Sequence, residues 1–230
     1  MLNFFCMTAD WLTAVGTLGL ALVAFATIFR DRLRELRWHP EWKVNFQSGR
    51  PDCNRILQIS PSDSIETHYV RARIQNVGQA GAEDVEVSVV EVRKREADHV
   101  FRPIPMGTPW NLIWAHINSH VLPRLPVGSE RHIDIGHVVD PEKRGLIPGE
   151  DRRGSDPLKT LFCLALFVKS NTTEYLLSPA EEYEIDFRVF AGNAKPSAIF
   201  TFHLNHRGKW FVDEASMYRD GLGMSMSHKG

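Results

Sequence analysis

An uninterrupted apolar run near the N-terminus constrains the chain most. The segment Trp11–Phe29 contains no charged side chain. As an α-helix, at about 1.5 Å per residue, it would be about 28 Å long, which is close to the hydrocarbon thickness of a bilayer. A buried core helix would normally show a polar face, and the polar atoms here are limited to threonine hydroxyls. The run therefore predicts a single membrane-spanning helix.

The charges around this run predict its direction. Arg30, Arg32, Arg34 and Arg37 follow the run, and no Lys or Arg precedes it. Because Lys and Arg are enriched on the cytoplasmic side, we expect a single-pass protein of the cell membrane with its N-terminus outside and its C-terminal domain in the cytoplasm. A cleaved signal peptide is the alternative, but its basic residues would come first.

Side chains in and around the run suggest two roles. The predicted membrane anchor consists of Trp11, Arg30, Arg32, Arg34, Arg37 and Trp38. Small side chains that share one helical face would let two helices approach closely; they are Thr13, Gly16, Thr17, Ala21 and Ala24. The expected partners are therefore the lipid bilayer and, through this face, a second copy in a homo-oligomer.

Beyond residue 43 the hydrophobic period becomes that of β-strands. Apolar and polar residues alternate over Tyr69–Gln75, Val85–Val89 and Tyr183–Val189, which is typical of strands with one buried face. Val90 and Val92 then switch faces, as a β-bulge would allow. Further candidate strands are His132–Val139, Phe200–Leu204 and the continuously apolar Leu161–Val168, which is predicted to be a central strand.

About seven short strands with almost no helical period predict an antiparallel β-sandwich, with a barrel as the alternative. The expected fold class is mainly β: an N-terminal transmembrane helix followed by an immunoglobulin-like sandwich. The expected organisation is a flank at 1–10, the helix at 11–29, a basic juxtamembrane linker at 30–43, the sandwich at 44–213 and a tail at 214–230.

One segment resembles a known family. Leu177, Pro179 and Tyr183 resemble the stretch that leads into the F strand of fibronectin type III and related immunoglobulin-like domains. The resemblance implies that Tyr183 is a structural corner whose hydroxyl bonds back to the backbone. The whole layout also resembles short bacterial single-pass membrane proteins with an N-terminal anchor, which carry no assigned activity.

Two long stretches interrupt the predicted strands, at 101–128 and 140–157. Loops of this length inside a domain are either functional or disordered. The first contains Trp110 and Trp114. We expect it to fold over an open edge of the sandwich or, alternatively, to supply a partner-binding loop through these two indoles.

Composition excludes some classes of function. The formal net charge is -1, so the chain lacks the basic footprint of a nucleic-acid-binding protein. The three cysteines, Cys6, Cys53 and Cys163, show no disulfide spacing. No nucleotide-binding or nucleophile-elbow motif is present, so no cofactor and no catalytic residue is predicted.

Histidines offer the only hint of a metal. His116 and His120 are four residues apart, and His132 and Asp134 follow closely. Zinc needs three or four converging ligands, and these residues are weak candidates because there is no HExxH motif and no Cys pair.

Together these features favour a membrane-anchored, non-enzymatic interaction module that presents a β-sandwich to a protein partner in the cytosol. One alternative is a membrane-active effector that oligomerises through its helix under control of the β domain. A metal-dependent hydrolase is the other alternative, and the sequence supports it least.

Overall fold

The chain is mainly β, with its strands in two antiparallel sheets. The computed structural model describes residues 13, 15–30, 38–59, 64–144, 160–169 and 175–229. The chain divides into two units, Met1–His39 and Pro40–Gly230. The described strands are β1 (Trp42–Asn45), β2 (Cys53–Ile59), β3 (Ser64–Asn76), β4 (Ala82–Arg95), β5 (Phe101–Pro103), β6 (Trp110–Asn111), β7 (Ile113–Trp114), β8 (Val121–Leu125), β9 (Glu130–Val139), β10 (Phe162–Leu164), β11 (Leu176–Leu177), β12 (Glu181–Phe190), β13 (Ile199–His206) and β14 (Leu222–Lys229).

The N-terminal unit contains helix α1, over residues 15–30. The hydroxyls of Thr17 and Thr27 donate to the carbonyl oxygens of Thr13 and Val23, both at 2.8 Å. Within the described part of the chain, no helix is long and apolar enough to cross a membrane. The predicted membrane-spanning helix, and with it the N-terminal part of the predicted fold class, is therefore wrong.

The strands of the second unit form two seven-stranded sheets. The first sheet has the order β1-β3-β9-β10-β11, with β2 also paired to β3 and β7 to β9. The second sheet has the order β14-β13-β12-β4-β5, with β6 and β8 also paired to β4. These fourteen described strands exceed the number predicted, because many are too short to show a period.

The hydrophobic core takes its side chains from both sheets, in the alternation that the sequence predicts. Val70, Ala72 and Ile74 of β3 are fully buried, and so are Ile185 and Phe187 of β12. All five belong to one contiguous core cluster. Burial of one face of each strand is the main stabilising contribution, and the predicted strand faces are confirmed.

A β-bulge lies where the sequence predicts one. Val89 of β4 pairs with Phe187 and Glu91 pairs with Asp186, so Val90 is an extra residue in β4. The extra residue reverses the face on which the following side chains lie, and this is why Val92 returns to the core. The predicted bulge is confirmed.

The apolar stretch at 161–168 forms less strand than predicted. β10 covers Phe162–Leu164, and its central place between β9 and β11 is as predicted. Beyond it the backbone turns to another partner: Ile113 N–H donates to the Ala165 oxygen at 3.1 Å, and Phe167 N–H donates to the Asn111 oxygen at 2.9 Å. The predicted strand is too long because, beyond Leu164, these hydrogen bonds replace regular strand pairing.

The stretch 101–128 pairs with the existing sheets. β5, β6 and β8 pair with β4, and β7 pairs with β9. Of the second long stretch, residues 145–157 lie outside the described residues.

The segment around Tyr183 makes a backbone contact at the start of β12. The Tyr183 hydroxyl donates to the Ser178 oxygen at 3.3 Å, and burial raises the pKa of Tyr183 to about 12. Gly208 lies against this turn with φ +76°, and a Cβ there would come within 2.6 Å of the Pro179 Cβ.

Replacing Gly136 with Ala tests the packing of the first sheet. A Cβ at Gly136 would lie 2.3 Å from a ring carbon of Phe162 and 2.6 Å from the Cys163 carbonyl oxygen. Because a backbone atom cannot move aside cheaply, we expect the free energy of unfolding to fall by about 2 kcal/mol or more. Urea unfolding measures it.

The matched control is Gly81→Ala, where the nearest atom to a new Cβ is the flexible Arg124 side chain at 3.8 Å. Its free energy of unfolding should change by less than about 0.5 kcal/mol. Equal stability of the two variants would contradict the described packing of β9 on β10.

Candidate functional site

An open groove separates the edge strands β1 and β14. It has a volume of about 900 Å³. The lining residues are Lys43, Val44, Asn45, Phe46, Gln47, Ser48, Arg73, Phe200, Met224, Ser225, Met226, Ser227 and His228. One wall thus comes from the edge of the first sheet and the other from the edge of the second.

Hydrogen-bond alternation leaves one side of β14 unpaired. Arg207 N–H donates to the Gly221 oxygen at 3.0 Å, so these residues form a hydrogen-bonded pair beside the ladder of β13 and β14. Because such pairs alternate along an antiparallel ladder, the backbone groups of Ser225 and Ser227 point at β13. Those of the intervening residues point away from β13; they are Leu222, Met224, Met226 and His228. Leu222 N–H donates to the Met217 oxygen. Among the described strands β14 pairs only with β13, so this side is a free sheet edge from Met224 to His228.

The β2 edge of the first sheet is covered instead. Cys53 N–H donates to the Gly49 oxygen at 2.8 Å, and Arg55 N–H donates to the Glu214 carboxylate at 3.1 Å. The Arg50 guanidinium holds the same carboxylate, with Nε 3.0 Å from Oε1, and its hydrogen bonds lower the pKa of Glu214. Occupied N–H groups protect a sheet edge from strand pairing.

Glu214 belongs to a segment that closes one end of the core, residues 207–221, which we call the strap. It contains helix α2 (Glu214–Ser216) and a π-helical turn (Met217–Gly221). The Tyr218 hydroxyl donates to the Tyr69 oxygen at 3.0 Å. Buried His68 lies 3.0 Å from the Phe211 oxygen through Nε2, and burial lowers its pKa. The strap is thus fixed to β3 by buried contacts.

The strap also lines a second groove, of about 990 Å³, whose lining contains five charged side chains. Its arginines have carboxylate partners: Arg50 pairs with Glu214, and Arg219 pairs with Asp220 at 2.7 Å. Because these charges are satisfied within the chain, the second groove offers less to a ligand than the β14 edge does.

The groove beside β14 combines apolar and basic side chains. Phe46 packs edge-on against Phe202, with ring centroids 5.1 Å apart, and Met224 and Met226 are half-buried against the core. The basic side chains are Lys43 and Arg73. Methionine side chains are flexible and adapt to different partners.

Three neighbouring strands, β12, β13 and β14, bring a serine, a histidine and a carboxylate together on the outer face of the second sheet. Ser227 Oγ lies 2.7 Å from His203 Nε2, and His203 Nδ1 lies 3.6 Å from Glu184. Hydrolysis also needs N–H donors aimed at an oxyanion. The backbone N–H of Ser227 points into the ladder, and Arg93 binds the Glu184 carboxylate at 2.7 Å. The arrangement is better suited to bonding between strands than to catalysis.

The described cysteines are placed for packing. Cys53 and Cys163 are buried, and burial raises the pKa of the Cys53 thiol to about 12. A protonated thiol is a poor nucleophile at neutral pH.

The candidate metal ligands do not converge. His132 Nε2 lies 3.2 Å from Asp52, and Asp134 pairs with Arg71 at 2.7 Å. His116 is exposed in a turn with φ +68°, and the His120 ring packs on Phe167. Among the described residues no group of three or more His, Cys, Asp or Glu is placed to hold a metal ion.

The two indoles proposed for partner binding are largely enclosed. Trp114 is 0% exposed, and its Nε1 donates to the Val85 oxygen at 3.0 Å. Trp110 is 6% exposed and lines a smaller groove of about 390 Å³ with Met106 and Phe167. A partner would have to open the fold to reach Trp114.

The remaining predicted residues lie in the N-terminal unit. Trp38 is half-exposed, and Arg30 ends the described part of α1. Gly16, Thr17, Ala21 and Ala24 lie on α1, and Thr13 is also helical. Trp11, Arg32, Arg34 and Arg37 lie outside the described residues.

The free edge of β14 was not among the predicted sites. Residues 214–230 are polar and short of aliphatic side chains, so they were predicted to be a tail. A weak signal is present, since Met224 and Met226 alternate with Ser225 and Ser227, a period of two.

Comparisons with known proteins leave the site without a precedent. No family model matches the chain, and no curated protein matches it. Among solved structures, the chain is similar to one described as "X-ray structure of Northeast Structural Genomics Consortium target SoR45". The similarity covers 78% of this chain and 95% of that chain, with 11% identity and a TM-score of 0.28. A TM-score this low carries no argument about fold or function.

Proposed function

We propose that this chain is a protein-interaction module that binds an extended segment of a partner by adding it as a strand to β14. The observation that carries the proposal is the free edge of β14, which runs from Met224 to His228 beside an open groove. The predicted cytosolic display depended on a membrane-spanning helix that the structure contradicts, so the function is proposed for the β unit.

Strand addition uses two kinds of contact. Main-chain hydrogen bonds to the edge supply affinity, and pockets for alternate side chains supply specificity. At β14 the edge groups belong to the same residues whose side chains line the groove, Met224, Met226 and His228. A bound strand would therefore meet backbone donors and apolar side chains together.

The contrast with β2 supports the choice of β14. Exposed edges are a liability that proteins normally protect, and this chain protects β2 with Gly49 and Glu214. The described part of β14 contains no proline, no Asp and no Glu. This chain covers the β2 edge and leaves the β14 edge open. The open edge is suited to pairing with a strand from a partner.

Met226→Pro tests the proposal. Proline removes the N–H of residue 226, which points away from β13, so the native ladder keeps its hydrogen bonds. Binders selected from a displayed library of random peptides should lose about tenfold or more in affinity, because a peptide carbonyl is left without its donor. Fluorescence anisotropy with the full chain measures the affinity.

The matched control is Met226→Leu, which retains the backbone donor and the side-chain volume and should bind within about twofold of the original chain. Thermal unfolding checks that both variants fold. Should Met226→Pro fail to fold, N-methylation of the peptide gives the same test from the ligand side. Strand addition requires that methylation at alternate positions abolishes binding, and equal tolerance at every position would rule it out.

A further inference from the structure

We infer that the partner segment at β14 is acidic, with carboxylate side chains alternating with aliphatic ones. The inference rests on the proposed function and names the chemistry of its ligand. It is carried by the charges that line the groove together with the alternation of its apolar side chains.

The groove contains cations and no carboxylate among its described lining residues. The cations are Lys43 and Arg73, and no Asp or Glu lines the groove. Lys43 is exposed and makes no ion pair with any described residue. Arg73 binds the Asp52 carboxylate at 2.9 Å, and Asp52 is itself 0% exposed. A ligand in the groove thus meets positive charge from Lys43 and the outer side of Arg73.

The apolar side chains of the groove determine which positions of the ligand are aliphatic. In an added strand every second side chain would face Met224, Met226 and the Phe46 ring, and the others would face away. Residues beside Lys43 and Arg73 would then carry the carboxylates. Charge complementarity of this kind steers association and rejects partners of the wrong charge.

A second copy of the chain does not supply this chemistry. The strand it would offer, Leu222–Lys229, contains no Asp or Glu and ends in a lysine. Pairing of β14 with β14 would leave Lys43 without a partner. The charges therefore favour a different protein over self-association.

Three synthetic peptides as long as β14 test the inference, with Val alternating with Glu, Gln or Lys. The Glu peptide should bind about fivefold more tightly than the Gln peptide, and the Lys peptide should bind least, because each charge contact contributes modestly at an exposed site. Raising the ionic strength from about 0.05 M to about 0.5 M should remove most of the difference between the Glu and Gln peptides.

Lys43→Glu should lower the affinity for the Glu peptide by about tenfold and change the affinity for the Gln peptide by less than about twofold. The matched control is Arg124→Glu, which makes the same change of charge at an exposed residue of β8, on the opposite side of the second sheet. It should change the affinity of either peptide by less than about twofold.

The outcomes separate the two proposals. If the Gln peptide binds as tightly as the Glu peptide and still loses affinity with Met226→Pro, the acidic partner is wrong and strand addition stands. If the Glu peptide binds but Met226→Pro leaves its affinity unchanged, strand addition is wrong. If the Glu peptide does not bind, or sedimentation shows a dimer that Met226→Pro dissociates, the inference is overturned.

Discussion

Replacing Trp114 with Ala should lower the free energy of unfolding by about 4 kcal/mol, because large-to-small changes of a buried aromatic residue leave a cavity. Trp114 is 0% exposed. Its indole N–H donates to the Val85 oxygen at 3.0 Å, and truncation would leave that oxygen without its donor. Urea unfolding followed by far-UV circular dichroism measures the change.

Val127, which lies with Trp114 in the stretch 101–128, provides a matched control. Val127 is 52% exposed, so Val127→Ala should change the free energy of unfolding by less than about 0.5 kcal/mol. A Trp114→Ala variant as stable as the original chain would contradict the burial of this indole. Loss of partner capture in Trp114→Ala would report unfolding, whereas Met226→Pro changes one edge donor in a folded chain.

Acidification below about pH 6.5 should lower the free energy of unfolding through His206. The total loss should be about 3 kcal/mol once the pH is below about 4, where His206 is protonated in both the folded and the unfolded chain. Burial lowers the pKa of His206 to about 4, from the ordinary histidine value of about 6.5. Its Nε2 lies 2.9 Å from the Thr160 hydroxyl, and its Nδ1 lies 3.2 Å from the Ser178 oxygen. The folded chain therefore holds a neutral ring whose nitrogens are both used.

The sign follows from proton uptake. Between the two pKa values the unfolded chain binds a proton that the folded chain does not, so the free energy of unfolding falls as the pH falls. This contribution is fully present above about pH 6.5. The lowered pKa of buried His68 acts in the same direction, while carboxylates with lowered pKa values, such as Glu214, lose their contribution at lower pH.

Comparison with His206→Gln isolates the contribution of this residue. The variant should be less stable at pH 7. Its free energy of unfolding should fall less steeply with pH between about pH 6.5 and about pH 4, because up to one proton fewer is taken up on unfolding. His116→Asn is the control, since His116 is exposed and asparagine tolerates its positive φ. If His206→Gln keeps the original slope, the buried neutral imidazole is wrong.

The sequence predicted the long strands because their burial is one-sided. Along β3, β4 and β12 an apolar face packs against the core and a polar face does not, so the period of two is visible. The bulge at Val90 is visible for the same reason, since it reverses the alternation. β14 lacks this contrast: its half-buried residues are methionines and its other face carries serines, so no strand was predicted there.

What the sequence determined by itself is local: the helical N-terminal run, the strands of the core and the side each strand turns inward. These follow from hydrophobic period, which each segment carries alone. The tertiary structure decided that Trp114 lies inside and which sheet edge stays open. Edge exposure depends on a contact between Arg55 and Glu214 across 159 positions of sequence, and pairing at that distance is set by packing of the whole β unit.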